Sequence, residues 1–456
     1  MRTLFSFLTM PMGAIVKLIH NNQPTTKVGC MNNLYVSVEK LDVRRLRTKT
    51  CRTMLLQPRN GAEDQCRELK LQIHRGTFMF FSCDNYSKCK LVSQYDGTIC
   101  DCGEGMHCYV SLVKSRSKDK VSDSQDGVFV KRLTRVMISD NLQVMPPSSE
   151  SSFSLLSMLG VIDVNSVEER TFDIGVDTVV DLLKSSLVSE TALTEILLKP
   201  KEIPDIVKKI SKRHGFSLKT KSGDCTSKGN DKIRIKLMLS KSKKMVCYAE
   251  VREDFVNLLF SFLTVPLGYI LKEMDGAASK GCINHLYDSI ASLDVEKYFK
   301  SNDHKEILLS PKIAPNLGYA NQLLRVEEAV HPEYYSVLYG PYARNISADK
   351  PTSGTVTAIS VKDPISSHKL TKTSGGFVMG PGMFTVTDDL TVTPISAVSG
   401  VSALSKLKVP LNDVEERSVY VGTKEAVHLM VNSFISESAL TDTFISQVLK
   451  VPKQES

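Results

Sequence analysis

Tryptophan is absent from the 456 residues, and aromatic side chains make up only 7% of them, which argues against a broad aromatic recognition surface. No run approaches the roughly 18 consecutive apolar residues of a membrane-spanning helix. The Walker phosphate loop, the HExxH helix, the GxSxG elbow and the dinucleotide glycine fingerprint are all missing. No familiar motif therefore announces a reaction, and only a site assembled from distant residues is left open. Strong compositional bias is lacking too. With 42% hydrophobic and 24% charged residues, a wholly disordered or collagen-like chain is excluded, and the length fits two to three domains of roughly 150 residues.

What is present is unevenly placed. The formal net charge is +8, yet residues 199–244 hold 15 Lys and Arg against four acids, which leaves −3 for the rest of the chain. Such a segment can contact phosphates through counterion release or meet an acidic partner. It can equally be a solvated linker followed by the outer face of a hairpin, since no aromatic ladder accompanies the lysines as in single-strand binding. Of the 11 cysteines, eight precede residue 109 and five fall between Cys83 and Cys108. An odd total of scattered thiols points to a reducing compartment, where clustering signals metal binding or reactivity and not disulfides.

The chain also repeats itself. Phe5-Ser6-Phe7-Leu8-Thr9-Met10-Pro11-Met12-Gly13 shares seven of nine positions with Phe260-Ser261-Phe262-Leu263-Thr264-Val265-Pro266-Leu267-Gly268. In the same order, Gly29-Cys30 matches Gly281-Cys282, and Leu41-Asp42-Val43 matches Leu293-Asp294-Val295. Val167-Glu168-Glu169-Arg170 matches Val414-Glu415-Glu416-Arg417, both expected as ion-paired, solvent-facing starts to a helical region. Two tandem copies of one unit is the economical explanation. Residues 1–198 then form a first repeat domain, 199–231 a basic linker and 232–451 a second repeat domain.

The repeat settles whether the N-terminus is a signal peptide. Met1-Arg2 and the apolar stretch to Val16 have that look, but the segment recurs at 260–274 in mid-chain. Residues 4–19 are therefore expected to be domain core, with export disfavoured and the chain placed in the cytoplasm or nucleus. Ile233 to Leu239 alternates apolar with basic residues and predicts a strand, with a return strand from Met245 to Glu250 and Asp254 as the next N-cap. The first copy starts level with Val256 and lacks this hairpin. Either the gene model is truncated or the first copy borrows an edge, because an unpaired edge is a liability.

Within one copy, proline interrupts the first helix at Pro11 or Pro266. A second helix places Leu34, Val38 and Leu41, or Leu286, Ile290 and Leu293, on one face. Short strands are expected at 69–73, 78–81, 128–130, 136–138, 377–379 and 384–386, with closing helices over 176–187 and 193–197. Asp140 and Asp388-Asp389 fit turns between strands. Glycine, proline and hydroxyl residues predict a flexible loop over about 340–374. The fold class is α+β: two tandem homologous domains, each with small, mostly antiparallel sheets and packed helices.

FSFLT-x-P-x-G, the Gly29-Cys30 segment leading to Asn33-Leu34-Tyr35, MLLQPRN from Met54 to Asn60, the C-x-CG turn at Cys100, Cys102 and Gly103, GVFVK from Gly127 to Lys131, MISD from Met137 to Asp140, and the helix with Leu193-Thr194-Glu195 occur together. In this combination the chain resembles the plant-specific family called domain of unknown function 674, over essentially its whole length and as two copies. The resemblance implies a plant source and intracellular residence, and it carries no established activity.

One constellation carries chemistry. Cys83-x5-Cys89-x10-Cys100-x-Cys102 offers four thiols in two pairs, and zinc takes four thiolates tetrahedrally. Gly97 and Gly103 suit the turns between them. The spacing is looser than a C-x2-C ribbon, so two alternatives stand: reduced thiols packed as small hydrophobes, or a redox or nucleophilic cysteine. His74, His107, Cys66 and Cys108 are spare ligands. The corresponding stretch of the second copy, Tyr334 to Gly376, has no cysteine, which is the pattern of a local staple. The expected protein is thus a non-enzymatic interaction or scaffold protein with a protein partner and a structural zinc. An enzyme, in one version thiol-dependent, and nucleic-acid binding through 199–244 are the alternatives.

Overall fold

The computed structural model describes residues 1–22, 27–66, 69, 79–113, 128–131, 135–198, 232–275, 281–337, 345–350, 356–365 and 375–448. The basic linker 199–231, the alternation at Leu71 and Ile73, His74, Cys225 and much of 340–374 lie outside these residues.

The repeated FSFLT-x-P-x-G motif is a packing device. Its hydroxyls fold back on their own turn: Ser6 Oγ donates to Thr3 O at 2.7 Å and Thr9 Oγ1 to Ser6 O at 2.9 Å. Ser261 Oγ and Thr264 Oγ1 do the same toward Leu258 O and Ser261 O, at 2.7 and 2.8 Å. Each hydroxyl is thereby buried with a partner. Proline then ends the turn and holds the preceding residue extended, with ψ 130° at Met10 and 132° at Val265. Pro11 and Pro266 meet in an antiparallel bridge, Met12 N–H donating to Val265 O at 3.0 Å and Leu267 N–H to Met10 O at 2.9 Å. Glycine closes each motif because a Cβ at Gly13 would lie 2.5 Å from Leu55 O, and one at Gly268 2.7 Å from Leu308 O.

The described strands are, in chain order, β1 Phe80–Ser82, β2 Leu91–Val92, β3 Thr98–Ile99, β4 Gly105–Met106, β5 Cys108–Leu112, β6 Met137–Ile138, β7 Val144–Met145, β8 Ile233–Ser240, β9 Met245–Arg252, β10 Tyr334–Val337, β11 Asn345–Ser347, β12 Thr357–Val361, β13 Met383–Thr387, β14 Val392–Pro394 and β15 Val414–Val421. Together with the helices they make an α+β protein. β11 and β12 fall inside the 340–374 stretch expected as loop. One antiparallel sheet, ordered β14-β13-β9-β8-β15, is drawn entirely from the C-terminal half. The predicted hairpin is its centre, and β15 runs alongside β8 in register from Val414 opposite Ser240 to Val421 opposite Ile233.

The second large sheet is shared between the halves, in the order β1-β5-β11-β10-β12-β2. A bridge between Phe81 and Ser93, with both N–H···O distances 2.8 Å, brings the β2 end back to β1 and closes the ring. Each half supplies three strands with one pairing pattern. β1 and β5 pair antiparallel, as do β10 and β12, while the seams β5–β11 and β12–β2 are both parallel. The small barrel is filled by matched side chains: Phe80 and Tyr334, Val92 and Ile346, Val110 and Ile359. The Phe80 and Tyr334 rings meet edge to face at 5.0 Å. Closure leaves these strands without exposed edges.

The main core also spans both halves, with Phe5 stacked on Phe299 at 6.3 Å. Cys30 N–H donates to Ser433 O at 2.8 Å and Cys282 N–H to Ser189 O at 3.0 Å, so the helix starting in each half docks on the closing segment of the other. The predicted helices Met31–Lys40 and Ile283–Ser292 bury Leu34 and Val38, and Leu286 and Ile290, as their spacing implied. Asp140 and Asp388 lie in the expected turns and do more than turn the chain. Each accepts from the backbone N–H and the hydroxyl of a threonine in a closing helix, Thr194 at 2.7 and 2.9 Å and Thr441 at 2.7 and 2.8 Å.

Three expectations need correction. Residues 128–130 and 377–379 are not strands. Each makes a single bridge, Val130 with Phe299 and Val378 with Leu46, and their apolar character serves to bury Phe129 and Phe377 as plugs in the core. Asp254 lies in the first turn of helix Glu253–Ser261, behind Arg252 as the N-cap residue. Glu415 and Arg417 are ion-paired at 2.8 Å but belong to β15 and not to a helix start. Among the described residues, no helix is long and apolar enough to cross a membrane.

Candidate metal centre

Three short pieces of chain converge outside the barrel wall. β1 ends at Ser82, so Cys83 follows directly, fully buried. The one-turn helix Tyr86–Cys89 comes next, and Lys90 stops it in the left-handed region at φ 51°. Cys100 follows β3, and Cys102 sits in the turn between β3 and β4. That turn is tight: Cys100 N–H donates to Glu104 O and Gly103 N–H to Cys100 O, both at 2.9 Å. Gly103 takes φ +92°, which only glycine adopts readily. Met106 and the outward faces of Phe81 and Leu91 pack against the cysteines, while Phe80 and Val92 point into the barrel.

The Sγ atoms of Cys83, Cys89, Cys100 and Cys102 all lie within 4.8 Å of one another. Zinc–sulfur bonds of about 2.3 Å in a tetrahedron set sulfur atoms about 3.8 Å apart, so small rotamer adjustments would let the four thiols hold one metal ion. No disulfide joins any of the ten described cysteines. The thiols respond to their surroundings in opposite ways. Burial, reinforced by the neighbouring thiols, pushes Cys83 upward, and Cys89 rises to about 11. Cys102 is exposed, and the Glu104 N–H directed at its sulfur, helped by the other three thiols, lowers it to about 7.

The cluster lies beside a seam between the halves. β12 pairs parallel with β2, Ser360 opposite Leu91 and Val361 opposite Val92, and Lys362 N–H extends the ladder to Val92 O at 2.7 Å. Lys362 then sends Nζ to Asp101 Oδ1 at 2.6 Å, and Asp101 is the residue between Cys100 and Cys102. Spacing alone could not reveal Lys362, which is 261 positions away.

The spare candidates fall elsewhere. His107 pairs with Asp96 at 2.8 Å, Cys108 Sγ donates to Asp84 Oδ1 at 2.9 Å, and Cys66 Sγ lies 3.6 Å from Thr9 Oγ1. His74 is outside the described residues. Of the basic segment, Arg234 donates to Ser418 Oγ at 3.2 Å and Lys236 pairs with Glu416 at 3.1 Å, so these two serve the sheet.

Fold and site together define an α+β protein with a four-thiol cluster beside a barrel built from both of its halves. The chain belongs to the family described as Protein of unknown function (DUF674), whose family model matches residues 1–424. No curated protein matches the chain, and no solved structure does.

Proposed function

We propose that this is a non-enzymatic interaction or scaffold protein, built from two tandem copies of one unit and stapled by a structural zinc ion on Cys83, Cys89, Cys100 and Cys102. The observation that carries the metal reading is the meeting of four sulfur atoms within 4.8 Å without a disulfide. Four protein thiolates complete a tetrahedral shell and leave no position for a substrate, which is the mark of a structural and not a catalytic zinc. The Lys362–Asp101 contact ties the staple to the opposite half across the β12–β2 seam. The thiols imply a reducing setting, cytoplasm or nucleus.

The full chain, purified without chelator, is expected to carry about one zinc per molecule, and Cys102→Ser to lower both occupancy and thermal stability. A metal-free native preparation would overturn the metal reading. Reproducible turnover abolished by a point mutation would overturn the non-enzymatic one. A thiol-dependent activity is favoured by one observation, the lowered, exposed Cys102; zinc-loaded protein that still alkylates rapidly there would support it.

A further inference from the structure

The four cluster sulfurs differ in how open they are to solvent. Cys83 and Cys100 are 0% and 1% exposed and pack against Met106, whereas Cys89 is half-buried and Cys102 exposed. A dissolved oxidant therefore reaches Cys102 first and Cys89 next. All four sulfurs lie within 4.8 Å of one another, so these two accessible thiols are near neighbours. Thiols outside the cluster are engaged elsewhere: Cys108 Sγ donates to Asp84 Oδ1 at 2.9 Å, Cys30 Sγ to Ser436 O at 3.1 Å, and Cys51 Sγ lies 3.1 Å from Thr48 Oγ1.

The same two cysteines are chain neighbours of residues that hold the opposite half. Lys90 follows Cys89, and its carbonyl accepts from Ser360 N–H at 3.2 Å. Asp101 precedes Cys102, and its carboxylate accepts from Lys362 Nζ at 2.6 Å. Between these contacts, Val92 O accepts from Lys362 N–H at 2.7 Å. The Lys362 side chain is only 11% exposed, so the ion pair is shielded on one side and holds more firmly than a fully exposed one. Drawing Cys102 onto Cys89 therefore disturbs, in one step, two of the contacts that fix β12 against β2.

We propose that Cys89 and Cys102 are an oxidation site for a hydroperoxide, and that the disulfide they form releases the zinc and loosens the β12–β2 seam. A zinc-bound sulfur is a thiolate with lone pairs left over, slower than the free thiolate but still a nucleophile. The Cys102 sulfur attacks the peroxide oxygen, the O–O bond breaks, and the hydroxide that leaves takes up a proton to become water. The Cys89 thiolate then attacks the sulfenic sulfur of Cys102; the S–S bond forms, the S–O bond breaks, and a second hydroxide leaves and is protonated to water. With hydrogen peroxide, two thiolates, one peroxide and two protons give one disulfide and two waters, the peroxide taking two electrons from the two sulfurs. Cys83 and Cys100 remain, half the shell of a structural zinc, so the ion leaves. In a reducing compartment such a disulfide is transient and acts as a signal. This rests on the structural-zinc reading and adds its regulation.

The zinc-loaded full chain, treated with one equivalent of hydrogen peroxide, is expected to release one zinc for each disulfide formed, read with a chromogenic chelator. Peptide mass mapping should place that disulfide between Cys89 and Cys102. Amide exchange at 91–93 and 360–362 should rise about tenfold or more on oxidation, and dithiothreitol with zinc should restore it. Lys362→Gln tests the coupling without touching a thiol: peroxide should still release zinc, but the further rise at 360–362 should shrink because the Asp101 contact is already gone. Zinc retained, a disulfide that involves Cys83 or Cys100, conversion of Cys102 to the sulfinic acid without a disulfide, unchanged exchange at the seam, or a full-sized response in Lys362→Gln would each overturn the proposal. Zinc content measured before oxidation separates the two claims. A chain that holds no zinc as purified yet forms the Cys89–Cys102 disulfide sinks the staple and leaves the oxidation site standing; a zinc-loaded chain that forms no disulfide sinks only the oxidation site.

Discussion

Cys102, Cys30 and Cys282 hold one functional group in opposite environments. Burial pushes Cys30 and Cys282 to about 12, while Cys102 is drawn down to about 7 by the Glu104 amide. Only the thiolate attacks an alkylating agent. In metal-stripped protein at pH 7.5 Cys102 is expected to label first and Cys30 and Cys282 last, with zinc suppressing the Cys102 signal; peptide mapping that finds uniform slow labelling would contradict this. His331 gives a pH signature. Its Nε2 contacts Asn316 Nδ2 at 2.9 Å, and burial together with nearby Arg59 lowers its pKa to about 4. Between pH 6.5 and 4 the unfolded chain binds a proton that the folded chain refuses, so stability contributed at neutral pH is lost as pH falls through this window. Asp388, raised by burial to about 6, acts in the opposite direction. Urea unfolding of wild type and His331→Gln is expected to show the variant losing less stability between pH 7 and 5; equal losses would contradict the assignment.

At the scale of elements, the barrel is held by matched pairs from the two halves. Ile346→Ala and Ile359→Ala each remove a buried side chain from a core of seven residues, and each should cost about 2–4 kcal/mol in denaturant unfolding. A loss below about 0.5 kcal/mol would show that the barrel is not a packed unit. Helices were legible where apolar residues recur at helical spacing, as at Leu34 and Val38, because burial of one face leaves that trace. The barrel was not legible. β1 and β11 have three residues and β2 two, too short for alternation to register, and both parallel seams join segments more than 230 positions apart. Phe129 and Phe377 misled for a related reason: a short apolar run marks burial, and burial alone does not distinguish a strand from a plug.

Across the whole molecule, the FSFLT-x-P-x-G motif is visible twice in the sequence, but the way the two halves interlock is not. Pro11 meeting Pro266, Cys30 docked on Ser433 and Cys282 on Ser189 are contacts between halves that no local pattern encodes. The four cysteines were readable because two close pairs can reach one point, whereas Lys362, which clasps their loop from the far half, was not. Removing metal is therefore expected to loosen the seam, seen as faster amide exchange at 91–93 and 360–362 with slower change in β8 and β9. Exchange that rises uniformly, or not at all, would detach the cluster from the seam. The most direct test is zinc K-edge X-ray absorption on the full chain as purified. Four sulfur scatterers at about 2.3 Å, reduced in number by Cys102→Ser, are the predicted result; a shell dominated by nitrogen or oxygen, or an absence of bound zinc, would contradict the account.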